Sequence, residues 1–109
     1  MARRKLYSIM NPSLTEDVIT ERQKNILDQV SKFYPNDIII PINRCISGGC
    51  LPNSVITIQN LKQMCDADII CYDEGYGVSP IALIEAMFAS SCLQNANIVA
   101  MQHDELVII

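Results

Sequence analysis

The sequence predicts one open, doubly wound α/β domain: a parallel sheet of four to five strands with helices on both faces. Two observations carry this. Short apolar runs rich in β-branched residues alternate with longer stretches whose apolar positions recur at helical spacing. The chain also has 109 residues, enough to bury a core without a metal or disulfide staple and too few for a second domain. A single domain over residues 1–109 is expected, and no internal repeat, linker or low-complexity tract interrupts it.

Leu6 to Met10 reads as a buried first strand. Ser13-Leu14-Thr15-Glu16 supplies a capping box for a helix whose apolar positions are Val18, Ile19, Ile26, Leu27, Val30 and Phe33, ending near Tyr34-Pro35. Asp37 to Pro41 is a short β-branched run of the kind covered on both faces. A loop with Ser47-Gly48-Gly49 and Pro52-Asn53 follows. Val55, Ile58, Leu61, Lys62 and Met64 then mark a second helix ending at Cys65 or Asp66. Asp68 to Tyr72 is the third strand, and Ser79-Pro80 opens a third helix with an N-cap and a proline at the first helical position, running to about Leu93. Asn97 to Met101 makes a fourth strand and Leu106 to Ile109 a short fifth. Strands alternating with helices imply right-handed crossovers and a three-layer, flavodoxin- or Rossmann-like sandwich.

Composition narrows the partners. A net charge of −4 offers no broad positive field for a phosphate backbone, so nucleic acid is not expected. No run approaches the roughly 18 apolar residues that a membrane span needs, so no membrane partner is expected. Leu6-Tyr7-Ser8-Ile9-Met10 behind the basic Ala2-Arg3-Arg4-Lys5 is too short for an export signal and is broken by Asn11-Pro12. The five cysteines, Cys45, Cys50, Cys65, Cys71 and Cys92, are an odd number scattered through apolar segments, as in a reducing cytoplasm. Cys45-x4-Cys50 is the only close pair and His103 lies far from it, so no metal site and no cofactor is expected.

In open sheets of this kind ligands bind outside the carboxyl ends of the strands, where the strand order reverses. The loops from Met10 to Leu14, Ile42 to Asn53 and Asp73 to Ser79 converge there. Glu85 is the most informative residue, the only charge between Pro80 and Leu93, lying between Ile81 and Ala89 on a helix with almost no polar face. Either the helix has one partly exposed edge or an interface where the carboxylate finds a partner, or it keeps one carboxylate in the cleft. In Gly75-Tyr76-Gly77-Val78-Ser79 the glycines permit close backbone approach, and the Ser79 hydroxyl with the first-turn amides can hold a phosphate or carboxylate, although serine before proline is first of all a helix cap. Asp73 and Glu74 at the end of the third strand line the cleft or are simply solvated; Arg44 is a candidate anion contact. Met64, Met87 and Phe88 read as core or dimer surface rather than a cofactor site.

The stretch Gly75-Tyr76-x-x-Ser79-x-x-Ala82-x-x-Glu85-x-x-x-Ala89, preceded by Cys65-Asp66-Ala67-Asp68-Ile69-Ile70 and with Lys5-Leu6-Tyr7 opening the first strand, resembles the nucleoside 2-deoxyribosyltransferase superfamily. It is similar to its small, often phage-borne branch and to the deoxynucleoside 5′-monophosphate N-glycosidases. The resemblance implies that Glu85 is the nucleophile on the sugar anomeric carbon, that Tyr7 positions it, and that Ser79 contacts a phosphate, which favours nucleotide over nucleoside. Substrate contacts are expected from Gly75, Tyr76, Gly77, Asp73 and, in the first loop, Asn11. A homodimer or higher homo-oligomer is implied too.

Three positions depart from the family pattern. Met10-Asn11-Pro12-Ser13 stands where glycines are usual, Ile81 stands for a glycine, and Asn60 occupies the place of an aspartate that handles base or sugar. An amide cannot donate a proton as an acid. The expectation is therefore an N-glycosidase or deoxyribosyltransferase-like protein acting on a small nucleoside or nucleoside 5′-monophosphate. Its alternative is a non-catalytic nucleotide-binding protein, a sensor or sequestering factor, on the same fold.

Overall fold

β1 (Arg3–Ile9) lies inside the sheet, and its alternating residues set up two apolar layers. The computed structural model describes residues 2–11, 15–42, 53–73, 80–93, 96–102 and 105–108, with backbone alone at 53–57 and 108. Along the chain β1 is followed by α1 (Glu16–Phe33), β2 (Ile38–Pro41), α2 (Asn53–Cys65), β3 (Ile69–Asp73), α3 (Pro80–Cys92), β4 (Asn97–Gln102) and β5 (Glu105–Ile108). The five strands form one sheet in the order β2-β1-β3-β4-β5. β1 pairs in parallel with β2 and β3, and β3 with β4.

Leu6 of β1, Ile69 and Cys71 of β3, and Val99 and Met101 of β4 gather on one side with Ile26 and Val30 of α1. Tyr7, Ile9 and Ile70, the intervening residues, gather on the other with Met64 of α2 and Ala82 and Ala89 of α3. Period-two alternation in the strands thus meets α1 on one side and α2 and α3 on the other. Each large side chain taken fully out of water in these layers contributes about 1.5–3 kcal/mol, an upper range because denatured chains already bury part of that surface. At the amino end the strands are stapled by Asp68: its carboxylate accepts from the Lys5 amide at 2.9 Å, its own amide donates to the Lys5 carbonyl, and its carbonyl accepts from Asn97.

Several expectations are corrected. Thr15, not Ser13, caps α1: its hydroxyl accepts from the Val18 amide at 3.4 Å, which places Glu16 and Asp17 in the first turn, where they favour the helix dipole. β2 is not covered on both faces. It is an edge strand, and Ile38 and Ile40 are 44% and 37% exposed, because a four-residue strand paired on one side only has no neighbour to shield it. Ile58 of α2 and Phe33 of α1 also face outward, Phe33 packing edge-on against Tyr34. β5 runs antiparallel to β4, since only two residues separate them, far too few for a crossover helix. No helix among the described residues is long and apolar enough to cross a membrane.

Candidate active site

Tyr7 and Glu85 meet although 78 positions separate them: the Tyr7 hydroxyl donates to Glu85 Oε1 at 2.5 Å, and both residues are 0% exposed. Alternation along β1 is what aims Tyr7 toward the α2 and α3 side, and the helical period is what aims Glu85 inward, one turn from each of the buried Ala82 and Ala89. The small side chains of Ala82 and Ala89 let α3 approach the sheet closely enough for a phenol in β1 to reach a carboxylate in the helix. The distance suits a hydroxyl donating to a carboxylate, a stronger bond than one between neutral groups, and it restricts the carboxylate's orientation.

Asn60 is 1% exposed on α2, one turn before Met64, which packs in the same apolar cluster as Tyr7. Asn11 is half-buried two residues past the end of β1. Ser79, Gly75, Tyr76 and Gly77 lie outside the described residues, as do Arg44, Cys45, Cys50 and His103.

Asp73 sits on the other side of the sheet from Glu85. Its two carboxylate oxygens accept from Arg22 of α1, from Nε at 3.0 Å and from Nη2 at 2.8 Å, a two-pronged pair that is almost wholly buried. The guanidinium fork matches a carboxylate in this geometry, and burial without such a partner would be costly for either group. Arg22 was not singled out by the sequence reading. Its signal is there all the same, since Ile19, Arg22, Ile26 and Val30 form one buried stripe in which Arg22 is the only charge. Beside the pair, burial and then the charge of Asp73 push the Cys71 thiol up to about 12, which keeps it protonated and unreactive.

Two cavities formed by described residues, of about 180 and 270 Å³, lie away from the Tyr7–Glu85 pair and are lined by neither residue. No cluster of three or more potential metal-ligating side chains occurs among the described residues. Compared with family models, with curated proteins and with solved structures, the chain matches none of them.

Proposed function

We propose that the protein is an N-glycosidase or deoxyribosyltransferase-like enzyme of nucleosides or nucleoside 5′-monophosphates, with Glu85 as nucleophile and Tyr7 as the residue that orients it. One observation carries the reading: a carboxylate enclosed in an apolar helix and held at 2.5 Å by a tyrosine from the central strand β1. The tyrosine hydroxyl fixes the orientation of the Glu85 carboxyl group.

In the proposed reaction a Glu85 oxygen attacks the anomeric carbon, the carbon–nitrogen bond to the base breaks, and the base leaves with the bonding electrons and takes a proton from solvent. The resulting glycosyl ester is resolved by water, which restores Glu85 and frees the sugar, or by another base, which restores the N-glycosidic bond. Ser79 is the proposed phosphate contact, with Gly75, Tyr76, Gly77 and Asn11 bordering the substrate. The strand order β2-β1-β3-β4-β5, with α1 on one side and α2 and α3 on the other, supports an open doubly wound arrangement, whose ligand crevice falls where the order reverses between β1 and β3. The three cysteines among the described residues are free thiols, which fits a cytoplasmic protein. The outer face of α3 exposes Leu83, Ile84 and Met87 and carries no charge, which supports a homodimer through that helix.

The complete enclosure of Glu85 favours one second reading, a nucleotide-binding protein that does not catalyse; the amide at Asn60 favours it too. Incubation with deoxyribonucleosides and their 5′-monophosphates, with free base followed chromatographically, separates the two. Base release lost in Glu85→Ala supports the enzyme. Absence of release from every substrate, with a nucleotide-induced rise in thermal midpoint, supports the binding protein.

A further inference from the structure

The cavity of about 180 Å³ is a consequence of how short β2 is. The parallel ladder between β1 and β2 closes with Leu6 opposite Pro41 and one further bond, from the Ile42 amide to the Leu6 carbonyl. Ser8 lies two residues beyond Leu6 on the same face of β1, past the last of these pairs. α1 passes over this end of the sheet, with Gln23 and Leu27 one turn apart and Lys24 beside them. The result is a notch lined by the apolar Leu6, Leu27, Pro41 and Ile42 and by three polar groups, Ser8, Gln23 and Lys24.

Those three polar side chains do not bond to one another. Among the described residues none of the three side chains makes a hydrogen bond, and Lys24 makes no ion pair. The second cavity differs in that its lining includes one cationic and one anionic residue, Lys5 and Asp66. Among the described residues that line the notch, Lys24 is the only charged one. Its volume corresponds to about six waters, well below the space a drug-sized ligand fills. It also lies on the opposite face of β1 from Tyr7, so a molecule in it does not reach Glu85.

We infer that this notch is a second ligand site that takes a small monocarboxylate with a short apolar body. The carboxylate pairs with the Lys24 ammonium and accepts from the Ser8 hydroxyl and the Gln23 amide, and the body rests on Leu6, Leu27 and Pro41. A single charge matches the single lysine, whereas a phosphate dianion would leave one charge unmatched. The inference does not depend on the proposed enzymatic reaction.

Benzoate, a probe of suitable size, is titrated into isotope-labelled full-length protein while amide resonances are followed. Saturable shifts are expected at Ser8, Gln23, Lys24, Leu27 and Ile42, with a Kd of about 1 mM or weaker, as befits so small a ligand. Benzyl alcohol and benzylammonium bind more weakly. Lys24→Gln weakens benzoate about fivefold or more, Ser8→Ala less, and Glu85→Gln leaves it unchanged. Four results would overturn the inference: no saturable response to benzoate, equal binding of benzyl alcohol, indifference to Lys24→Gln, or shifts clustered elsewhere. Tighter binding of phenyl phosphate than of benzoate would overturn the assignment to a monocarboxylate.

Discussion

Arg22, Asp73 and Glu85 are charged side chains enclosed by apolar neighbours, and they are accommodated in different ways. Arg22 and Asp73 neutralise each other in a two-pronged pair, so removing one leaves an unmatched buried charge. Arg22→Ala is expected to cost about 3–5 kcal/mol in urea unfolding, whereas replacing both partners by apolar residues of similar volume costs much less. Equal losses in the single and double variants would show that the pair's charges do not govern its energetics. Glu85 stands out in the sequence because one charge in an apolar helix demands an explanation, and the structure supplies Tyr7 as one hydrogen-bond partner. The same logic applies to Arg22 in α1, but there it was masked by the neighbouring Glu21 and Lys24, which make that stretch of sequence look polar all round. Asp73 reads from the sequence as a cleft-lining or solvated acid because nothing there links it to a residue 51 positions earlier.

The elements were legible where local chemistry decides them. Pro80 after a serine starts α3, and the isoleucine runs mark β2 and β3, each boundary falling within a residue or so of expectation. What local chemistry does not encode is position in the sheet. A run such as Ile38-Ile39-Ile40 has the composition of a central strand, yet it ends at the edge because β1 takes β3 as its other neighbour. That edge is fastened by Arg4 and Asp37, paired through Arg4 Nε at 2.5 Å with the Arg4 guanidinium over the Tyr34 ring. The hydrogen bond from Arg4, aided by the Ala2 amide, holds the Asp37 carboxyl below its ordinary value of 3.8. A depressed carboxyl stabilises the fold above its unfolded pKa and ceases to do so as pH falls through its folded pKa. The thermal midpoint of the native chain is therefore expected to exceed that of Asp37→Asn at neutral pH, with the gap closing below about pH 4. Partial exposure of the pair keeps the gap small, and added salt narrows it further. A gap that widens on acidification would contradict this assignment.

At the scale of the whole molecule, the sheet divides the protein into two chemically distinct sides. The α1 side holds the Arg22–Asp73 pair and the notch at Ser8 and Lys24; the other holds Tyr7, Glu85 and Asn60, with the apolar outer face of α3 beyond them. On a chain of net charge −4, an uncharged helix face is where two copies meet with least repulsion. Light scattering during gel filtration is expected to give twice the 12.2 kDa chain mass for the native protein and one chain mass for Met87→Glu, Met87 being the most exposed large apolar residue of α3. A native monomer would remove the dimer from the account without touching the chemistry of Glu85.

That chemistry is tested most directly by stopping the protein with acid during turnover of a deoxyribonucleoside 5′-monophosphate and searching its peptides by mass spectrometry. The account predicts a 5-phospho-2-deoxyribosyl ester on the Glu85 carboxylate, absent from Glu85→Gln and reduced in Tyr7→Phe. Base release that proceeds with no adduct on Glu85, and that survives in Glu85→Gln, would contradict it.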